Sequence, residues 1–179
     1  MTAMNDKAGE TGNGVAEPAC TEATTSDSDG ESVCEGRDAV TREVCRGVGR
    51  LLRAMSFAIV TELPLPNGRR ADVVGLSPSG DIWIVEVKSC LDDLRVDAKW
   101  PEYRDYSDAL FFAVAPHFPR EALPEDTGLI LADRYGGEII REAPLSRLPG
   151  ARRKAMTLRF ARSAAFSLQL LADPSLNVL

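Results

Sequence analysis

The 179-residue sequence predicts an α/β domain in which one long helix precedes a mixed β-sheet. Three observations support this prediction. Residues 36–56 have the apolar spacing of an amphipathic helix. Three apolar segments of strand length then follow within 57–90, joined by turn signals. After a polar segment, the continuous apolar run "ALFFAVAP" at 109–116 is typical of a buried strand. The predicted order is α-β-β-β-α-β, followed by a β-hairpin and a long C-terminal helix.

The individual elements follow from periodicity and turn chemistry. The first helix carries apolar residues on one face and four arginines on the opposite one, namely Arg42, Arg46, Arg50 and Arg53. The polar segment 91–108 predicts a helix that is interrupted or bent at Pro101. The other predicted elements are strands at 57–63, 71–76, 81–90, 109–116, 127–133 and 137–144, and a helix at 150–173. No internal repeat is visible.

Charge divides the chain into two parts. Residues 1–35 contain eight acidic residues and one lysine, and residues 36–179 contain 20 basic and 19 acidic residues. The first part also has few large apolar side chains, which predicts a disordered acidic tail before a folded domain at 36–179. No apolar run approaches the about 18 residues of a membrane helix. With no export signal, we expect a cytoplasmic protein without a membrane partner.

The strand "DIWIVEVKSC" ends in charged residues where a buried strand should be apolar. Side chains alternate along a strand, so Glu86 and Lys88 share a face with Ile84. If Leu76 pairs with Ile82 across the "SPSG" turn, Asp72 lies opposite Glu86. Facing carboxylates destabilise a sheet unless a proton, a cation or a divalent metal offsets them. A salt-bridge cluster that includes Arg70 is the structural alternative to a metal site.

Asp72, followed by Glu86-Val87-Lys88 on the next strand, resembles the PD-(D/E)XK nuclease superfamily, which has the restriction-endonuclease-like fold. The segments "RRADVVGL", "DIWIVEVKSC" and "DAKWPEYRDYSDALFFAVAPHF" are similar to the MmcB-like DNA-repair family, over about 38–170. The resemblance implies that Asp72 and Glu86 bind Mg²⁺ or Mn²⁺ and that Lys88 orients or activates the attacking water. It also implies a catalytic glutamate on the first helix, for which Glu43 is the candidate.

Two further groups of residues are candidates for nucleic-acid binding. Lys99 and Tyr103 occupy the spacing of the Gln-x-x-x-Tyr pattern of related nucleases, with lysine in place of glutamine. On the C-terminal helix, Arg152, Arg159 and Arg162 can share one face and follow a phosphate backbone. The alternative for these arginines is an ordinary solvated helix face.

The expected function is metal-dependent phosphodiester hydrolysis on DNA in a repair process, with DNA and repair proteins as partners. The alternative is a catalytically inactive nuclease-fold protein that binds DNA or acts as an adaptor. The nearly neutral charge of residues 36–179 favours this alternative, because nucleic-acid-binding domains usually carry a clear basic excess. A third hypothesis is an interaction protein whose acidic tail competes with nucleic acid. The sequence alone leaves open whether the site cleaves DNA.

Overall fold

The computed structural model describes residues 28–96 and 99–178 of the chain. Its three α-helices are α1 (Ser28–Ala54), α2 (Leu91–Val96) and α3 (Gly150–Ala172). The strands are β1 (Ala58–Pro64), β2 (Arg70–Leu76), β3 (Ile82–Lys88), β4 (Ala109–Val114), β5 (Gly128–Ala132) and β6 (Gly137–Arg141). Short 3₁₀ helices cover Trp100–Tyr106, Arg120–Ala122 and Pro174–Val178.

The six strands form one mixed sheet in chain order, β1-β2-β3-β4-β5-β6. The pairs β1–β2, β2–β3 and β5–β6 are antiparallel, and the pairs β3–β4 and β4–β5 are parallel. The mixed sheet, the final hairpin and the long C-terminal helix confirm the predicted fold class, and the architecture is consistent with a restriction-endonuclease-like α/β fold. Because β3 and β4 lie inside the sheet, they are apolar on both faces.

Helices cover the sheet on both faces. On one face, α1 places Val44, Val48 and Leu52 against a core that includes Val85 and Phe111. On the other face, α3 and the 3₁₀ helix at 100–106 pack on a second core. That core includes Ile84, Leu63, Tyr103, Met156 and Phe160. The alternation along β3 therefore divides its side chains between two helical layers, as its sequence predicts.

An ion pair between the fully buried Asp108 and the partly exposed Arg153 attaches α3 to the sheet. The Asp108 carboxylate accepts hydrogen bonds from the backbone N–H groups of Ile82 at 2.7 Å and Leu148 at 2.8 Å. It also binds Arg153 through both of its oxygens, at 2.8 and 2.5 Å. Burial acts to raise the pKa of Asp108, but these hydrogen bonds outweigh it and hold the pKa below its usual range. Three elements thus meet at one carboxylate.

The structure differs from the sequence prediction at two boundaries. Helix α1 begins at Ser28, so residues 28–35, which the sequence places in the tail, belong to this helix. The rest of the predicted tail, 1–27, lies outside the described residues. The predicted helix at 91–108 is divided into α2 and the 3₁₀ helix at 100–106, which has Pro101 at its start. Proline lacks the N–H that a continuing α-helix would need.

Candidate active site

The hairpin of β2 and β3 adopts the predicted register. Leu76 pairs with Ile82, and Val74 pairs with Ile84. The ladder ends at Val73 and Val85. The next residues of the two strands, Asp72 and Glu86, lie beyond the ladder and remain in contact, because the backbone N–H of Asp72 reaches the side chain of Glu86. The apolar match across the hairpin therefore brings the two carboxylates together at the end of the ladder.

Each of these carboxylates is held by the backbone of the other strand. The backbone N–H of Val87 donates to Oδ2 of Asp72 at 2.8 Å. The backbone N–H of Asp72 donates to Oε1 of Glu86 at 3.3 Å. Side-chain oxygens thus continue the hydrogen bonding where the regular ladder stops. These reciprocal hydrogen bonds hold each carboxyl group against the backbone of the opposite strand.

The charges at this end of β3 are buried. Glu86 is 3% exposed and Lys88 is 7% exposed. Both belong to an inner strand, where Glu86 is paired with Phe112 and Lys88 with Val114 of β4. Buried charges are costly unless they are paired or hydrogen-bonded. The positive charge of Lys88 acts on Asp72, and Glu86 accepts the backbone N–H of Asp72, so ionisable groups are concentrated at one point of the sheet.

Asp72 has a perturbed acidity. Burial raises the pKa of Asp72, and the negative charge of Glu62 raises it further. The hydrogen bond from Val87 and the positive charges of Lys88 and Arg70 act in the opposite direction, but the net shift is upward. A carboxyl group whose ionisation is opposed by its surroundings is typical of functional sites, although structural networks produce such shifts too.

Glu62 is a third carboxylate near Asp72, and it is not among the site residues predicted from the sequence. It lies on β1 between Thr61 and Leu63, which pair with Val73 and Ala71 of β2. Its backbone has φ of +56°, a left-handed conformation that is uncommon for a residue other than glycine. Its side chain forms an ion pair with Arg70. Pairing β1 with β2 by the same apolar matching would have placed Glu62 opposite Asp72.

Helix α1 approaches the carboxylates through Cys45. Burial raises the pKa of the Cys45 thiol to about 12, and the negative charges of Asp72, Glu62 and Glu86 contribute to the increase. Glu43 instead lies exposed on α1. Residues two apart on an α-helix are separated by about 200° around the helix axis, so their side chains point to nearly opposite sides. The structure thus brings Cys45 near these carboxylates, whereas Glu43 is exposed, and the catalytic role of Glu43 stays a prediction.

The two residues of the Gln-x-x-x-Tyr spacing have different environments. Lys99 is exposed at the start of the 3₁₀ helix. Tyr103 is 6% exposed, packs in the second core and donates its hydroxyl to the backbone carbonyl of Arg70 at 3.2 Å. Its ring has no exposed face on which a base could stack. Tyr103 instead ties the 3₁₀ helix to the start of β2, two residues before Asp72.

The three arginines predicted on α3 make contacts within the protein. Arg152 binds the backbone carbonyl and the carboxylate of Asp105 at 3.0 and 3.1 Å. Arg159 donates to the carbonyl of Pro64 at 3.0 Å. The guanidinium of Arg162 lies 5.4 Å from the ring centroid of Phe166. Arg159 and Arg162 line a groove of about 500 Å³ between α3 and the end of β1, whereas Arg152 does not.

Comparison with known proteins identifies the family. The family model of MmcB-like DNA repair proteins matches residues 30–175 of the chain. The chain belongs to this family. This MmcB-like chain is also similar to the solved structure of SPO1766, a protein of unknown function from Silicibacter pomeroyi. The two are 46% identical, the match covers 76% of this chain and 93% of that chain, and the TM-score is 0.73. No curated protein matches the chain.

Membership in the family associates this MmcB-like chain with DNA repair. Within residues 28–96 and 99–178, no helix is long and apolar enough to cross a membrane. The same residues contain no group of three or more His, Cys, Asp or Glu side chains arranged to hold a metal ion. Mg²⁺, however, usually keeps several waters and takes one or two protein carboxylates together with substrate phosphates. The oxygen donors of Asp72 and Glu86 fit that requirement.

Proposed function

We propose that the protein is a divalent-metal-dependent nuclease of the PD-(D/E)XK type that acts on DNA during repair. The observation that supports this proposal is the reciprocal backbone hydrogen bonding of Asp72 and Glu86, with Lys88 buried beside them. The pKa of Asp72, which burial and the charge of Glu62 raise, is a further feature typical of functional sites. The carboxylates of Asp72 and Glu86 are hard oxygen ligands of the kind that Mg²⁺ and Mn²⁺ prefer.

In this proposal each residue has a separate role. Asp72 and Glu86 would hold the ion through oxygens that the backbone hydrogen bonds of the hairpin already orient. Lys88 supplies a positive charge where negative charge develops on the phosphodiester during attack. A bound divalent ion would polarise a phosphoryl oxygen and lower the pKa of bound water. The buried position of Lys88 limits competition from solvent for its charge.

The proposal is tested by assaying cleavage of labelled single-stranded, duplex and nicked DNA with Mg²⁺ or Mn²⁺. Asp72→Asn, Glu86→Gln and Lys88→Met are each expected to lower the cleavage rate about 10²–10³-fold, the usual effect of removing one group that stabilises the transition state. The carboxamide variants keep an oxygen that can accept the hydrogen bonds of the hairpin. Mn²⁺ affinity, measured by calorimetry, is expected to fall with Asp72→Asn and Glu86→Gln.

The matched control is Glu138→Gln, which removes one exposed carboxylate from β6. We expect this variant to retain wild-type cleavage and metal affinity. Circular dichroism and thermal unfolding report whether each variant is folded. Metal-dependent cleavage that persists in all three site variants would exclude the proposed catalytic centre.

A DNA-binding or adaptor protein without cleavage activity is the second candidate function. It is favoured by the absence of a three-residue metal group among residues 28–96 and 99–178 and by the exposed position of Glu43. This candidate predicts DNA binding that neither Mg²⁺ nor Asp72→Asn changes, and no cleavage of any of the three substrates.

A further inference from the structure

A groove of about 350 Å³ runs between α1 and the edge strand β1. Within the described chain β1 pairs with β2 alone, so its other edge is open. The groove is lined by Cys45, Arg46, Gly49, Arg50 and Arg53 of α1 and by Ile59 and Thr61 of β1. The two elements approach closely at Gly49, where a Cβ atom would lie 3.1 Å from Cδ1 of Ile59. Glycine thus allows the helix to lie directly above the strand.

The rim of this groove is strongly basic. Arg46, Arg50 and Arg53 are exposed and belong to the arginine face that the sequence predicts on the first helix. Arg50 also donates to the backbone carbonyl of Tyr135 at 3.3 Å. Among the described residues that line the groove, none is acidic and none is aromatic. Three clustered positive charges repel one another, and an anionic partner would remove that repulsion.

The groove adjoins the candidate active site at two points. Thr61 precedes Glu62 on β1 and pairs with Val73, the residue after Asp72. Cys45 lines the groove, and its thiol lies within the electrostatic influence of Asp72 and Glu86. An extended ligand that enters between α1 and β1 therefore lies beside Cys45 and Thr61, next to the strand that carries Asp72.

We infer that the groove between α1 and β1 binds the phosphodiester backbone of one nucleic-acid strand and leads it to Asp72 and Glu86. This inference rests on the proposed nuclease function, because it describes how DNA would reach the same site. Guanidinium groups bind phosphate oxygens through paired, charge-assisted hydrogen bonds.

The spacing of the arginines suits such a backbone. Residues 46–53 extend over about 10 Å of helix, which corresponds to about three phosphates of one strand at 3.4 Å of axial rise. Because no aromatic side chain lines the groove among the described residues, bases find no stacking platform there. Contacts with phosphates carry no sequence information. The groove is therefore expected to bind without sequence preference.

The test measures DNA affinity by fluorescence anisotropy with EDTA present, so that no cleavage occurs. Arg46→Gln and Arg53→Gln are each expected to weaken binding about tenfold, the effect of one charge-assisted hydrogen bond. Each is also expected to reduce the slope of log affinity against log salt by about 1. Arg50 is left unchanged because it also contacts Tyr135. Single-stranded and duplex DNA of several sequences form separate arms of the experiment.

Arg120→Gln is the matched control, because it removes one exposed arginine from the segment between β4 and β5. Its affinity and salt slope are expected to equal those of the wild type. Ile59→Glu places a negative charge on the floor of the groove without removing an arginine, and it is expected to weaken binding as well. Wild-type affinity in Arg46→Gln, Arg53→Gln and Ile59→Glu would overturn the inference.

The same measurements separate this inference from the proposed nuclease function. Loss of metal-free DNA binding in the arginine variants supports the groove even if no cleavage is found with any metal. Cleavage with an unchanged KM in Arg46→Gln and Arg53→Gln contradicts the groove alone. A synthetic peptide of residues 1–27 serves as an acidic competitor. Arginine variants that lose peptide binding but keep DNA binding would assign the groove to an acidic peptide and overturn the inference.

Discussion

At the level of single residues, burial and the negative charge of Glu62 both oppose the ionisation of the Asp72 carboxyl group. Its folded-state pKa is raised, so the folded protein carries a penalty at pH values above that pKa. The penalty disappears below the unfolded-state pKa of about 3.9, where the group is protonated in both states. Glu62 itself has a left-handed backbone conformation beside this carboxyl group. Such costs cluster at functional sites, where position matters more than stability.

Asp72→Asn is therefore expected to stabilise the protein while removing the proposed activity. The amide keeps an acceptor for the N–H of Val87 but carries no charge. We expect the free energy of unfolding to rise by up to about 1 kcal/mol near pH 7, the scale of a like-charged cross-strand pair. The gain should vanish below about pH 4. Urea denaturation of both proteins between about pH 3 and pH 7 measures this difference in the free energy of unfolding.

Asp38→Asn, on the exposed surface of α1, is the control and should change stability by less than about 0.5 kcal/mol. If Asp72→Asn instead destabilises the protein near pH 7, the carboxylate is a net stabilising partner of Lys88 and Arg70. That result would favour the salt-bridge cluster that the sequence leaves as the alternative to a metal site.

The position of Asp72 opposite Glu86 follows from the sequence because one register alone brings the apolar residues of that face together. Glu62 does not follow as readily. Its positive φ interrupts the β1–β2 ladder at that residue, and glutamate, unlike glycine or asparagine, does not signal such a conformation in advance. The exposure of Glu43 was missed for a different reason. A residue at the edge of an apolar stripe can turn to either side, and the crossing of α1 over the sheet decides which.

At the level of elements, the attachment of α3 to the sheet depends on Asp108 and Arg153. Asp108 has no exposed surface and is bound by Arg153 and two backbone N–H groups. Its lowered folded-state pKa means that its contribution to stability is present above the unfolded-state pKa of about 3.9. The contribution is lost as the pH falls through the lower folded-state value.

Asp108→Ala is expected to lower the free energy of unfolding by about 2–4 kcal/mol near neutral pH, because it leaves the backbone N–H groups of Ile82 and Leu148 without their acceptor and removes the partner of the partly exposed Arg153. The difference from the wild type should shrink as the pH falls below about 4. Denaturation curves at several pH values test this. Asp105→Ala, which breaks the exposed pair with Arg152, is the matched control and should cost less than about 1 kcal/mol. Equal costs for the two variants would contradict the assignment of Asp108 as the anchor.

Element type was predictable wherever local periodicity and the final environment agree. All six strands lie within or near their predicted segments, and the "RYGG" hairpin forms as predicted between β5 and β6. The start of α1 was not predictable from the sequence. Residues 28–35 are mostly polar and carry no apolar stripe that distinguishes a helix from a tail. Pro101 indicated an interruption, but the short 3₁₀ helix beyond it depends on burying Tyr103 in the second core.

At the level of the whole molecule, positive charge collects around one edge of the sheet. The groove with Arg46, Arg50 and Arg53 lies on the α1 side of β1, and the groove with Arg159 and Arg162 lies on its α3 side. The candidate carboxylates lie on the strands next to this edge. The net charge of −6 conceals this distribution, because residues 1–27 alone contribute five acidic residues and one lysine.

Removal of residues 1–27 is expected to raise DNA affinity several-fold at low salt, because a tethered segment of net charge −4 competes with phosphates for the arginines at a high local concentration. The truncation must end before Ser28, where α1 begins. Anisotropy titrations at low and high salt should show the gain decreasing as screening increases. A full-length variant with Asp6, Glu10, Glu17, Glu22 and Asp27 changed to Asn or Gln should reproduce it, whereas a scrambled segment of unchanged composition should not. Unchanged affinity in both the truncated and the neutralised protein would show that this segment does not compete with DNA.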